Sequence, residues 1–262
     1  MGNTSGTPAM SFGEQLSAGS ADEHPQFCAM CGVVHRATSE LDADLELRRT
    51  RHKRRPVKRL VVAPHCDDEV LGCGGLLAKH SEECSVLVLA KPDEVRRKEF
   101  EEAKRILGYA EALFLDIPDG YVHEDMRRLV DEIDRVVRVL EPHELYLPFP
   151  SMHQDHVAGY EAGVRAGRLS MRSDHWFTPS IYVYDVTAYD VQLYPTELRF
   201  NVFEALDERD IDRKVEAAAQ YASQTVMGPH PANILKEHAN AVGSARQVQW
   251  AESFALVRTV RQ

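Results

Sequence analysis

The chain has 262 residues, a length that suits one large α/β domain with a substantial core. Hydrophobic residues at 44% and charged residues at 27% describe an ordinary globular chain and exclude a disordered or fibrous one. A net charge of −10 argues against a molecule built as a whole to bind nucleic acid, and no apolar run approaches the length of a membrane span.

Residues 1–56 differ from the rest and are expected to form a flexible N-terminal arm with a basic linker, leaving 57–262 as the main domain. The start, Met1-Gly2-Asn3-Thr4-Ser5-Gly6, lacks the cationic and apolar regions of a signal peptide, and Gly6 breaks the myristoylation pattern, so a cytoplasmic location is expected. Five cysteines, an odd number, argue against a disulfide framework, and Cys73 and Cys84 stand in apolar segments as small core residues. Cys28-x-x-Cys31, flanked by His24 and His35, has the residue types of a structural zinc site, but all four lie in one short stretch. An acidic stretch at 40–47 with apolar spacing predicts a helix. The basic run 48–59 that follows reads as a solvated linker, or as a contact for an anionic partner.

From there the pattern alternates. Strands are predicted at 60–63, 85–90, 112–117 and 145–149, with helices at 70–80, 94–107, 124–140 and 155–167. Apolar residues at helical spacing carry the 124–140 helix, and Gly108 marks a helix end. Gly72, Gly74 and Gly75 allow the first of these helices to pack closely on a sheet. Later strands are expected at 181–184 and 199–203, and a helix at 210–224. This order predicts an α/β domain, a parallel sheet with right-handed crossovers.

Two clusters sit where strands end, the position at which open α/β sheets bind ligands. Pro64-His65-Cys66-Asp67-Asp68-Glu69 follows the first strand, and His153-Gln154-Asp155-His156 follows Leu145-Tyr146-Leu147-Pro148-Phe149-Pro150. Two histidines and a carboxylate suit a catalytic zinc with a position left for water, and a further carboxylate nearby suits a general base. Tandem Asp67-Asp68 supplies both tasks, and His153 and His156 can face one site across a turn. Helix capping by the aspartates is the competing structural role.

The two clusters resemble the paired signatures of the PIG-L/LmbE-like zinc-dependent deacetylases, Ala-His-Pro-Asp-Asp-Glu with a Gly-containing helix, and His-x-Asp-His. Arg96, Glu99, Ala103, Leu107 and Gly108 resemble a further region of that family, Asp119-Gly120 its following turn, and Lys214, Ala217, Tyr221, Ser223 and Gln224 its C-terminal helix. The likeness covers roughly 58–226 and implies a Rossmann-like α/β fold, a parallel sheet with helices on both faces, in agreement with the strand–helix order. It implies one catalytic Zn2+, with other divalent metals admissible, held by His65, Asp68 and His156. It further implies Asp67 as general base, and His153 as the imidazolium that steadies the oxyanion or protonates the leaving amine, with Asp155 orienting it. Arg96 and Asp119 would hold the sugar. The implied activity is removal of an N-acyl group from an amino-sugar-containing small molecule or glycan, by hydrolysis of a non-peptide C–N bond.

Three departures stand out. Cys66 replaces a Pro and brings a thiol near the metal position. Lys91-Pro92-Asp93-Glu94 replaces a longer loop, and Pro150-Ser151-Met152 leaves no Tyr before the second cluster, with Tyr121, Tyr160 and Tyr189 as unranked substitutes. His143, His175, His230 and His238 are expected at the surface, and Trp176 and Trp250 in packing roles. Rival readings are a zinc amidase or deacylase of a non-sugar or thiol-conjugate amide, and a non-catalytic anion-binding regulatory protein.

Overall fold

A computed structural model of the chain describes residues 26–27, 34–35, 39–50, 57–170, 175–186, 197–224 and 232–261. It divides into two compact units, Met1–Thr38 and Ser39–Gln262. In the first, strands β1 (Gln26–Phe27) and β2 (Val34–His35) pair antiparallel, Gln26 opposite His35 and Phe27 opposite Val34. His24, Cys28 and Cys31, together with the basic residues 51–56, lie outside the described residues, as do Tyr189 and His230.

The second unit opens with helix α1 (Ser39–Thr50), the acidic stretch expected in the arm. Leu41 and Leu45, one turn apart, are buried in the same apolar cluster as the helices and strands that follow. Glu40 adds an ion pair to Arg97 at 2.8 Å. This helix therefore packs with the larger unit, and the division falls after Thr38.

The alternating pattern then folds as β3 (Arg59–Ala63), α2 (Asp68–Lys79), β4 (Cys84–Ala90), α3 (Glu94–Leu107), β5 (Glu111–Ile117), α4 (Met126–Leu140), β6 (Glu144–Pro148), α5 (Gln154–Ala166) and β7 (Ser180–Tyr184). The chain continues through β8 (Phe200–Leu206), α6 (Glu208–Ala218), α7 (Ala232–Ser244) and β9 (Trp250–Thr259). The seven strands of this unit form one sheet in the order β5-β4-β3-β6-β7-β9-β8. Strands β3 to β7 are mutually parallel, whereas β9 runs antiparallel to both β7 and β8. The sheet is thus mostly parallel rather than wholly so.

Strand alternation sorts the core into two layers. Leu60, Val62, Leu87, Leu89, Leu145 and Leu147 face the layer with α1, α4 and α5. Val61, Ala63, Val86, Val88 and Tyr146 face the layer with α2, α3 and α6. Helices therefore cover both faces, as expected. Gly72 is required in α2 because a Cβ there would stand 2.1 Å from the ring of Tyr184.

Two sequence expectations shift. Helix α6 ends at Ala218, and Ala222–Gln224 form a separate short turn rather than its continuation. Strand β9 and helix α7 carry no counterpart among the expected elements. In β9 the alternation is masked by Glu252, which is buried and ion-paired to Lys214 at 2.7 Å while accepting the N–H groups of Gly75 and Leu76.

Strands β3 and β6 pair only over Arg59–Val61 and Glu144–Tyr146. Beyond Val61 the β3–β6 ladder stops, and the hydroxyl of buried Tyr184 donates to the Val62 carbonyl at 2.8 Å. The sheet opens at this seam.

Candidate active site

The chain leaves β3 towards β4 and β5 on one side, and β6 towards β7 on the other, so the strand order reverses between β3 and β6. That reversal makes a crevice at the carboxyl ends of the two strands, the general ligand position in doubly wound sheets. Both clusters emerge there, one into α2 and the other into α5.

Asp67 is the N-cap of α2, but only its backbone serves the helix. Its carbonyl accepts from Val70 and Leu71 N–H at 3.0 and 2.9 Å, and its side chain makes no capping bond. Its φ of 133° is far outside the usual range for a residue with a side chain. Such a conformation costs on the order of 1–3 kcal/mol and persists only where neighbours enforce it. The Asp67 N–H donates to Glu69 Oε2 at 3.0 Å, and Glu69 Oε1 accepts the Tyr221 hydroxyl at 2.7 Å.

Asp68 joins the two clusters. Its Oδ2 accepts the His65 N–H at 2.9 Å and lies 3.3 Å from both His65 Nδ1 and His156 Nε2. All three residues are buried. The remaining nitrogen of His65, Nε2, stands 3.3 Å from Asp155 Oδ2 and 3.2 Å from Asp119 Oδ1. Ser151 Oγ lies 3.3 Å from His156 Nδ1 and accepts the His153 N–H at 3.2 Å. Ring nitrogens of His65, His153 and His156 also lie within 4.8 Å of one another.

His153 caps α5 through its ring, with Nδ1 accepting the Asp155 N–H at 3.2 Å. A nitrogen that accepts carries no proton, so the ring proton of His153 resides on Nε2 and the ring is neutral. Burial, together with the neighbouring His65 and His156, holds its pKa below the ordinary histidine value. The expected pairing of His153 with the Asp155 carboxylate is therefore not the one found. The Asp155 oxygens instead accept the Gly120 N–H at 2.9 Å and face His65 and His123, the latter at 3.3 Å.

The electrostatics of the crevice are dominated by carboxylates. Burial opposes charge on His65, yet Asp155, Asp68 and Asp119 outweigh it and push the imidazole up to about 10. Burial would also raise Asp68, but His156 and His65 hold it well below the usual carboxylate range. Asp67 goes the other way, raised by burial and by the charge of Asp68. Cys66 is buried, and its thiol is pushed far up by burial and by Glu69.

Arg96 contacts Asp119 at 3.4 Å and also donates to Gln224, so the two expected sugar-binding residues stand together at the rim. Tyr121 and Met152 are exposed. Trp250 is buried in core packing, while His175 faces Asp134 at 2.9 Å away from the crevice. Ser151, His123 and Glu69 were not singled out for a role by sequence. Glu69 belongs to the first cluster and the other two lie near motif residues, but each contact depends on how segments from different strands fold together.

The donor set fits a divalent cation. An ion with arms of about 2.0–2.1 Å in tetrahedral geometry has ligand atoms about 3.3–3.4 Å apart, which matches both contacts of Asp68 Oδ2. The second nitrogen of His65 meets a carboxylate and that of His156 a hydroxyl, the arrangement that orients metal-ligating imidazoles.

Fold and site together define a doubly wound α/β domain with a histidine–aspartate centre at its switch point. Residues 60–167, from β3 through α5, match the family model described as PIG-L, GlcNAc-PI de-N-acetylase. The conserved protein TT1542 from Thermus thermophilus is similar in structure with a TM-score of 0.66 and 27% identity, covering 79% of this chain and 97% of its own. GalB, the 4-carboxy-2-hydroxymuconate hydratase from Pseudomonas putida, has a TM-score of 0.64 and 21% identity, over 78% and 98%. The N,N'-diacetylchitobiose deacetylase from Pyrococcus horikoshii has a TM-score of 0.61 and 21% identity, over 83% and 90%. No curated protein shows a significant match to the chain. At 21% identity the latter two structures share the fold, and the chemistry is argued from the site.

Proposed function

We propose that the chain is a zinc-dependent hydrolase that removes an N-acyl group, acetyl above all, from a small molecule or glycan carrying an amino sugar. One observation carries this reading. Asp68 Oδ2 lies 3.3 Å from nitrogens of two histidines drawn from different strand ends, while the adjacent Asp67 carboxyl is left free of its helix cap. The PIG-L match over 60–167 and the diacetylchitobiose deacetylase among similar structures support it.

His65, Asp68 and His156 would hold the ion. When bound, zinc supplies a Lewis acid that brings the pKa of water towards neutrality. Asp67 takes the proton of the attacking water as its oxygen adds to the amide carbon. The raised affinity of Asp67 for a proton suits that task, and lets it pass the same proton to the nitrogen as the C–N bond breaks. Acetate and a free amine are the products. His153, neutral with its proton on Nε2, donates a hydrogen bond to the oxygen on which negative charge develops. Asp155 keeps His65 in one orientation through Nε2, and Arg96 and Asp119 offer a cation and a carboxylate to sugar hydroxyls. Among the described residues no helix is long and apolar enough to cross a membrane.

The test is a hydrolysis screen of the zinc-loaded chain over N-acetyl amino sugars, N-acyl thiol conjugates and longer-chain amides, with released acid and amine both measured. Turnover of the amino sugars that stops on chelation is the expected result. Turnover confined to non-sugar amides would move the substrate class. Absence of all amide hydrolysis, with water addition to an unsaturated carboxylic acid instead, would replace the reading with that of a hydratase.

A further inference from the structure

Asp67 carries a side chain in a backbone conformation that most residues avoid, and the structure shows what holds it there. Its carbonyl is committed to the first turn of α2, and its N–H to the Glu69 carboxylate at 3.0 Å. Glu69 is fully buried, and its other oxygen takes the Tyr221 hydroxyl at 2.7 Å. Tyr221 is itself buried and lies well past the end of the 60–167 match. The turn that delivers it makes two more contacts. Ser223 donates to Glu99 from its N–H at 2.8 Å and its hydroxyl at 2.6 Å, and Gln224 accepts from Arg96.

We infer that Glu69 and Tyr221 are positioning residues, a buried clasp that fixes the Asp67 backbone so that its carboxyl faces the crevice instead of capping α2. Without the clasp, Asp67 would relax to an ordinary N-cap conformation, in which an aspartate side chain turns back onto the helix N–H groups. The same turn ties the clasp to Arg96, so the proton-transfer group and a rim residue share one anchor. Tyr221 touches neither substrate nor metal in this arrangement; it acts through Glu69. The inference rests on the general-base role proposed for Asp67.

The test uses the full-length, zinc-loaded protein and three variants, Tyr221→Phe, Glu69→Gln and Glu69→Ala. Zinc content, kcat and KM are measured on the best amino-sugar substrate, and crystal structures report the Asp67 φ. Tyr221→Phe should lower kcat about tenfold, and Glu69→Ala about a hundredfold, the scale of a small misplacement of a reacting group. Zinc content and KM should stay near those of the parent. Glu69→Gln should recover most of kcat, because its amide oxygen still accepts from Asp67 and its NH2 can donate to the Tyr221 oxygen. In Glu69→Ala the Asp67 φ should leave the positive region. Should Glu69→Ala fail to fold, the other two variants decide. Unchanged kcat in Tyr221→Phe, or Asp67 keeping its φ in Glu69→Ala, would overturn the clasp. A parent protein that hydrolyses no amide would overturn the hydrolase reading instead, while the Asp67 φ in the variants would still decide the clasp.

Discussion

At the scale of single residues, the crevice concentrates negative charge around one imidazole, and this has a measurable sign. In the metal-free protein His65 is raised from 6.5 to about 10. Its contribution to stability is then fully present below about pH 6.5 and lost as pH rises through 10. Glu69, raised by burial from 4.5 to about 7, adds a decline of the same sign between those two values. Thermal melts of the chelated protein should therefore show stability falling between pH 6.5 and 10, and the zinc-loaded protein should lack the His65 part of that decline because its ring is already deprotonated. Asp67→Asn should keep zinc and lose on the order of 10²-fold or more in kcat, as removal of a general base does. Metal loss in that variant would exchange the roles of Asp67 and Asp68. His153→Ala should retain zinc and lose about 10²–10³-fold, the usual cost of one oxyanion donor. His153→Gln, which restores a neutral N–H donor, should recover part of it. Equal inactivity of both variants would return His153 to the charged role expected from sequence.

At the scale of elements, the first four strand–helix pairs were legible because their signals are local. Apolar runs, a glycine helix end and strand-end clusters need no distant partner to be read. Two of the misses trace to long-range polar contact. Glu252 interrupts the apolar alternation of β9, yet Lys214 and two α2 amides satisfy it. The helix expected through 224 stops at Ala218, where the bonds of Tyr221, Ser223 and Gln224 to α2 and α3 replace helical ones. Helix α1 was placed in the arm because its acidic face dominates its composition, whereas Leu41 and Leu45 seat it in the apolar layer and Glu40 and Asp42 pair with Arg97 and Arg135. Deleting 1–38 should therefore leave kcat and stability near those of the full chain. Deleting 1–56 should lower stability in denaturant melts by several kcal/mol, since each buried leucine contributes roughly 1.5–3 kcal/mol.

At the scale of the whole molecule, the residues of the centre were found in sequence but their pairings were not. His65, Asp68 and His156 converge as their motifs suggested, whereas Asp155 reaches His65 and His123 rather than His153. Which aspartate meets which imidazole depends on the distance between two strand ends, and no local pattern encodes that distance. The seam between β3 and β6 carries a last consequence. Where their ladder stops after Val61 and Tyr146, the backbone no longer ties the two halves of the sheet together. An ion held by His65 and Asp68 on one side and His156 on the other would be a staple across that gap, restoring at the strand ends the cross-link that hydrogen bonds provide below. Chelation should then loosen the molecule unevenly. Amide hydrogen exchange should rise first in peptides spanning 62–69 and 147–157, with the β4–β5 half of the sheet unchanged. Uniform acceleration across the sheet would mean that the ion only adds to global stability.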